Sequence, residues 1–108
     1  MSNWSTACTL AELPTGSVRK FEFDGVEIAL ANTDEGIFAV DDICTHAEVS
    51  LSEGELNGCI LECWMHGATF DVRSGDALTP PATTGLKTYP VEVIGSGDTA
   101  EIRIKVSE

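Results

Sequence analysis

Apolar and polar residues in this chain alternate over short runs, and glycine-containing turns separate the runs. Phe21 and Phe23 alternate with Lys20 and Glu22, and Val26, Ile28 and Leu30 alternate with Glu27, Ala29 and Ala31. A period of two places successive side chains on opposite faces of an extended strand, whereas a helix needs a period near 3.6. Asp24-Gly25 between those runs predicts a tight hairpin, because primed turns require positive φ. Ile37 to Val40 reads as a further strand after the turn Thr33-Asp34-Glu35-Gly36. Cys59 to Cys63 and Thr69 to Val72 read as short strands, the second ending in the turn Arg73-Ser74-Gly75-Asp76. Tyr89, Val91 and Val93 alternate, and Glu101 to Val106 keeps the same period after Gly95-Ser96-Gly97-Asp98. With no amphipathic helix of useful length, the expected fold is all-β, an antiparallel framework. Two stretches break the rhythm. Thr45 to Gly58 reads as a polar, acidic loop, and Leu78 to Gly85 contains Pro80-Pro81, which cannot sit inside a paired strand.

At 108 residues the chain has room for one domain. The expected organisation is a β framework of residues 1–42 and 72–108, with residues 43–71 inserted between strands as a small lobe. The charge follows that division. There are 18 Asp and Glu against 6 Lys and Arg, for a formal net charge of −12, and no Lys or Arg occurs between Lys20 and Arg73. Twelve of the acids fall in residues 21–72, so the whole net charge belongs to the middle of the chain. Such a balance excludes nucleic acid and anionic membranes as partners, since phosphates would repel it. No apolar run approaches the roughly 20 residues of a membrane span. The start, Met1-Ser2-Asn3-Trp4, lacks the basic and apolar stretches of a secretory signal, so a cytoplasmic location is expected.

In a reducing compartment, cysteines point to metal binding or burial rather than to disulfides. The four are Cys8, Cys44, Cys59 and Cys63, and their gaps do not match the C-x4-C-x2-C spacing of plant-type ferredoxins. The two histidines each follow a cysteine closely, in Cys44-Thr45-His46 and Cys63-Trp64-Met65-His66, with sixteen residues between the units. Two mixed units on two loops let two thiolates face one metal and two imidazoles another. That asymmetry is the one described for Rieske centres, where two histidines replace two cysteines on one iron of a 2Fe–2S cluster. A structural zinc on two cysteines and two histidines is the alternative, although zinc fingers usually pair like with like. Unconnected core cysteines and surface histidines are a third reading. Cys8 and Cys59, on predicted strands, read as small buried hydrophobes.

The chain resembles the Rieske-type ferredoxins, the small carriers of multicomponent aromatic ring-hydroxylating dioxygenases. The residues that carry the resemblance are Cys44-Thr45-His46, Leu51-Ser52-Glu53-Gly54, Cys63-x-x-His66-Gly67, and Phe70 to Gly75. Leu78-Thr79-Pro80-Pro81-Ala82, Leu86 to Val91, Leu13-Pro14-x-Gly16 and the opening Ala7-Cys8 add to them, so that it spans nearly the whole chain. It implies a Rieske-type iron–sulfur fold of three antiparallel sheets with one [2Fe–2S] cluster at a tip formed by the 43–71 lobe. Cys44 and Cys63 would hold the inner iron, His46 and His66 the outer, and the Pro80-Pro81 loop would cover a third side. Respiratory Rieske proteins carry an additional disulfide and sulfur-binding Ser and Tyr hydroxyls; at the corresponding places this chain has Val49, Met65, Ala68 and Phe70. A potential near the bottom of the roughly −150 to +300 mV Rieske range follows.

The resemblance also implies a role. Both histidines are committed to the cluster, so none is left for the mononuclear iron of an oxygenase. No G-x-G-x-x-G follows a strand, and no nucleophile has a free histidine base. The expected function is single-electron transfer from a flavin-containing reductase to a terminal Rieske non-haem iron oxygenase. Both partners would dock in turn at the His46/His66 tip of a monomer. Asp41, Asp42, Glu48 and Glu62 are the acids expected to steer basic partner surfaces, and Trp64 is expected to shield the cluster or meet a partner. A Rieske-type small subunit of a larger, nitrite-reductase-like oxidoreductase and a zinc-stabilised interaction module are the alternatives.

Overall fold

The alternating runs do form strands. A computed structural model of the chain describes residues 4–23, 25–43, 50–64, 68–78 and 85–105. In chain order the strands are β1 (Trp4–Thr9), β2 (Val18–Phe23), β3 (Val26–Thr33), β4 (Gly36–Asp41) and β5 (Glu55–Asn57). They continue with β6 (Ile60–Glu62), β7 (Thr69–Asp71), β8 (Thr88–Tyr89), β9 (Val91–Ile94) and β10 (Glu101–Lys105). Among the described residues the only helical segments are short 3₁₀ turns at Leu10–Glu12, Leu51–Glu53 and Gly97–Thr99, and no helix is long and apolar enough to cross a membrane. The strands form three antiparallel sheets, ordered β1-β10-β9, β2-β3-β4-β8 and β5-β6-β7. This is the all-β antiparallel architecture expected from the sequence.

β3 divides the interior. It pairs with β2 from Val18↔Ala31 to Phe23↔Val26, and with β4 from Ile28↔Asp41 to Thr33↔Gly36. Ile28, Ala29, Leu30 and Ala31 are all fully buried. Ile28 and Leu30 pack with Cys8, Leu13, Ile102 and Ile104 in one apolar cluster; Ala29 and Ala31 pack with Leu51, Leu61, Cys63 and Phe70 in a second. The short alanine side chains let the third sheet lie close against β3. The β3–β4 turn is fixed by Thr33, whose hydroxyl donates to the Gly36 carbonyl at 2.8 Å and accepts from the Glu35 N–H at 3.1 Å.

The stretch expected to be loop from Thr45 to Gly58 contains β5. Gly58, at φ 62°, starts a two-residue connection that sets Asn57 opposite Ile60 and Leu56 opposite Leu61. Burial of Leu56 against Leu61 and the core on one side is enough to hold so short a strand. Cys59 consequently lies in the turn, not on a strand, and Cys63 lies one residue beyond the end of β6.

Candidate metal centre

Cys63 has no exposed surface and is packed in the apolar cluster with Leu51, Ala68 and Phe70. Its N–H donates to the Ala68 carbonyl at 2.7 Å, which extends the β6–β7 pairing by one rung and closes the base of the segment that contains Trp64 and His66. The segment with Cys44 and His46 is closed in a similar way. Ile43 bridges Ser50, and the Leu51 N–H donates to the Asp42 carbonyl at 2.6 Å. The Pro80-Pro81 segment is anchored by the Leu78 N–H on the Thr69 carbonyl at 2.8 Å and by the Leu86 N–H on the Gly75 carbonyl at 2.6 Å. Leu51, Cys63, Ala68, Ala77 and Leu86 thus bring the flanks of all three segments into one cluster. Cys44, His46 and His66 themselves lie outside the described residues, as do Val49, Met65, Pro80 and Pro81. Among the described residues no three His, Cys, Asp or Glu side chains come together as metal ligands.

The backbone around this base has little slack. A Cβ on Gly54 would collide with the Glu62 carbonyl oxygen, one residue before Cys63. Asp42 is fully buried, and its Oδ1 accepts from the Ser52 N–H at 2.9 Å, which ties the chain entering residues 44–49 to the chain leaving them. This corrects the expectation that Asp42 faces a partner: a carboxylate without exposed surface cannot steer one. Asp41 is also engaged, since it accepts a hydrogen bond from the Tyr89 hydroxyl at 2.5 Å and one from the Lys87 N–H at 3.3 Å. Burial, aided by that carboxylate, pushes the Tyr89 hydroxyl well above its ordinary value. Glu62 keeps some exposure, and Glu48 lies outside the described residues.

Two cations border the acidic stretch, and both fold back onto it. Lys20 Nζ meets Glu27 at 2.5 Å, and Arg73 meets Asp71 at 2.8 Å and Glu35 at 3.1 Å. The Arg73 guanidinium beside Asp71 holds that carboxyl below the usual carboxylate range. Cys59 Sγ lies 3.5 Å from Thr33 Oγ1 and 3.6 Å from Glu35 Oε2. Cys8 is buried on β1, where burial pushes its thiol up. Both are the small buried side chains expected. The Asp42 brace and the Asp41–Tyr89 bond had no local signal, because their partners lie 10 and 48 residues away.

Cys63, the one described residue of the four expected ligands, could hold a metal from this buried place. A thiolate without exposed surface is costly unless a metal compensates its charge, and thiolates are the ligands of iron–sulfur clusters. The side chains of Ala68 and Phe70, both fully buried beside Cys63, offer no hydroxyl to a sulfur there.

Residues 3–90 match the family model described as a Rieske [2Fe-2S] domain. The chain is 49% identical over 102 residues to the 3-phenylpropionate/cinnamic acid dioxygenase ferredoxin subunit of Photorhabdus laumondii, covering 94% of this chain and 92% of that one. The solved ferredoxin of carbazole 1,9a-dioxygenase from Nocardioides aromaticivorans superposes with a TM-score of 0.89 at 29% identity, covering 98% of this chain and all of that one. A chain in the solved complex of reduced oxygenase and oxidised ferredoxin in carbazole 1,9a-dioxygenase gives a TM-score of 0.86 at 30% identity, with 97% and 94% covered.

Proposed function

Because the chain belongs to the Rieske [2Fe–2S] domain family and carries one such cluster, we propose that Cys44, His46, Cys63 and His66 hold it, the cysteines on the inner iron and the histidines on the outer. Residues 43–71 then form a cluster-binding lobe on a framework of residues 1–42 and 72–108. As a ferredoxin component the chain transfers electrons and is not the catalyst. When bound, the cluster takes up and gives up one electron. The donor in this reading is a flavin-containing reductase, and the acceptor is a terminal oxygenase that dihydroxylates aromatic compounds. The solved relative bound to its oxygenase supports that choice of acceptor. Both partners meet the His46/His66 tip in turn, in the cytoplasm, and the carrier works as a monomer.

The observation that carries this reading is the convergence of three loop flanks on one buried cysteine. Leu51, Ala68, Ala77 and Leu86 bring the approaches to residues 44–49, 64–67 and 79–84 together around Cys63. Cys63 and Asp42 fix where two of those segments leave the framework, and the apolar residues packed around Cys63 keep water from its sulfur. Metal-bound imidazoles donate their remaining N–H to an acceptor; on a tip, those of His46 and His66 would be offered to the partner.

Iron and acid-labile sulfide analysis with a visible spectrum tests the assignment. About two of each per chain are expected. His46→Ala and His66→Ala remove or remodel the cluster, whereas Cys8→Ala and Cys59→Ala retain it. A colourless protein, or loss in Cys59→Ala with retention in Cys63→Ala, refutes the ligand set.

A further inference from the structure

The third sheet has one face that the core does not use. Leu56, Leu61, Phe70 and Ala77 stand in register across it and pack inward. Alternation turns the neighbouring row, Glu55, Glu62, Thr69 and Leu78, to the opposite face. Trp64 lies two residues beyond Glu62, in the turn that follows β6, and Cys63 between them is buried in the core. Trp64 is 52% exposed and Leu78 46%. Two strand spacings, about 10 Å, separate the line of β6 from that of Leu78. Trp64 also directly precedes the segment that holds His66.

Among the described residues the acids on this face have no counter-charge. Glu55 and Glu62 are cross-strand partners, and like charges in that register destabilise a strand pair. The other opposed acid pair, Glu22 and Glu27, is relieved by Lys20. Among the described residues neither Glu55 nor Glu62 has an ion-pair partner. An exposed indole two residues beyond a carboxylate pair that has no counter-charge among the described residues calls for a complement with an apolar pocket bordered by Lys or Arg, and tryptophan is enriched among the residues that dominate interface energetics.

We propose that the outer face of the β5-β6-β7 sheet is a docking surface for the terminal oxygenase, with Trp64 and Leu78 as apolar anchors and Glu55 and Glu62 facing basic residues of the partner. The inference rests on the electron-carrier reading and adds to it a face beside the cluster tip. The oxygenase is the occupant because a structural relative has been solved in a complex of oxygenase and ferredoxin, and the acidic pair beside the apolar anchors would complement basic residues on it.

Stopped-flow mixing of the reduced holoprotein with the oxygenase of the 49%-identical relative's system tests it. Trp64→Ala and Leu78→Ala should each lower the second-order rate at least about tenfold, and Trp64→Phe should recover most of the loss. Glu55→Gln with Glu62→Gln should flatten the fall of the rate with salt. Iron content, visible spectrum and the rate of oxidation by ferricyanide should stay at wild-type values. If Trp64→Ala loses iron, Leu78→Ala, which lies off the ligand loops, decides. A Leu78→Ala rate within about twofold of wild type overturns the proposal, and so does an unchanged salt dependence in the double glutamine variant. Slowing of the reductase step alone overturns the choice of occupant. A wild-type protein that passes no electron to the oxygenase refutes the carrier reading instead.

Discussion

Tyr89 is the single tyrosine of the chain, so its ionisation can be followed without interference from another phenol. Burial first, and then the hydrogen bond to Asp41 and that carboxylate's charge, raise its folded-state value above the unfolded value near 10. The neutral phenol is favoured in the folded state, so its contribution to stability is complete below pH 10 and is lost as pH rises beyond it. Ultraviolet titration of the native protein should show no phenolate step near pH 10. Asp41→Asn should bring the step down while burial keeps it above 10; a native step at pH 10 would mean the hydroxyl is not held as described. Ala68 and Phe70 carry a second expectation. Adding a hydroxyl at either place, by Ala68→Ser or Phe70→Tyr, should raise the potential by about 40 mV if it makes one hydrogen bond of about 1 kcal/mol to a sulfur. Film voltammetry that finds no rise in either variant would show that other groups set the potential. At this scale Cys63 was legible because its proposed role follows from its own spacing. Asp42 was not: an acid in an acidic stretch reads as surface, and only the bond from the Ser52 N–H shows that it braces the chain from within.

Among the elements, glycines separate backbone geometry from close packing. Gly54 has φ −88°, which any residue adopts, yet a Cβ there would strike the Glu62 carbonyl. Gly58 has φ +62° and open space around it. Gly58→Ala should therefore cost about 1–2 kcal/mol through its backbone alone and leave the iron in place. Gly54→Ala should reach at least the upper end of the about 1–3 kcal/mol of overpacking and reduce bound iron, since relief requires moving the residue before Cys63. Thermal melting and iron content of the two variants check this, and equal losses would remove the Gly54 contact as a constraint. β2, β3, β4 and β10 were legible because each has enough alternating positions to show a period. β5 was not: Glu55-Leu56-Asn57 has one apolar residue, and one residue has no period. The alternation in β3 was also incomplete as a guide, because Ala29 and Ala31 read as the outward set and instead face a second core.

For the molecule as a whole, the excess of acid was plain in the sequence but its distribution was not. The two bordering cations fold back onto Glu27, Glu35 and Asp71, and Asp42 is buried, so the opposed pair Glu55 and Glu62 stands out only after the chain is folded. The Cα radius of gyration, 13.1 Å, matches the roughly 13 Å of a compact chain of this length, so these surfaces belong to one body. The pairing of β1 with β10 bears on how that body is made. Within its sheet β1 has β10 as its one neighbour, so a strand that leaves the ribosome early waits for the latest of the ten. The described residues packed around Cys63 all lie at Leu86 or earlier in the chain, and β9 and β10 emerge after them. The alanine face of β3 can therefore be covered on the nascent chain while its opposite face still lacks β10. The residues that pack around Cys63 are thus complete in the chain by Leu86, whereas the sheet that joins β1 to β10 needs the last described strand.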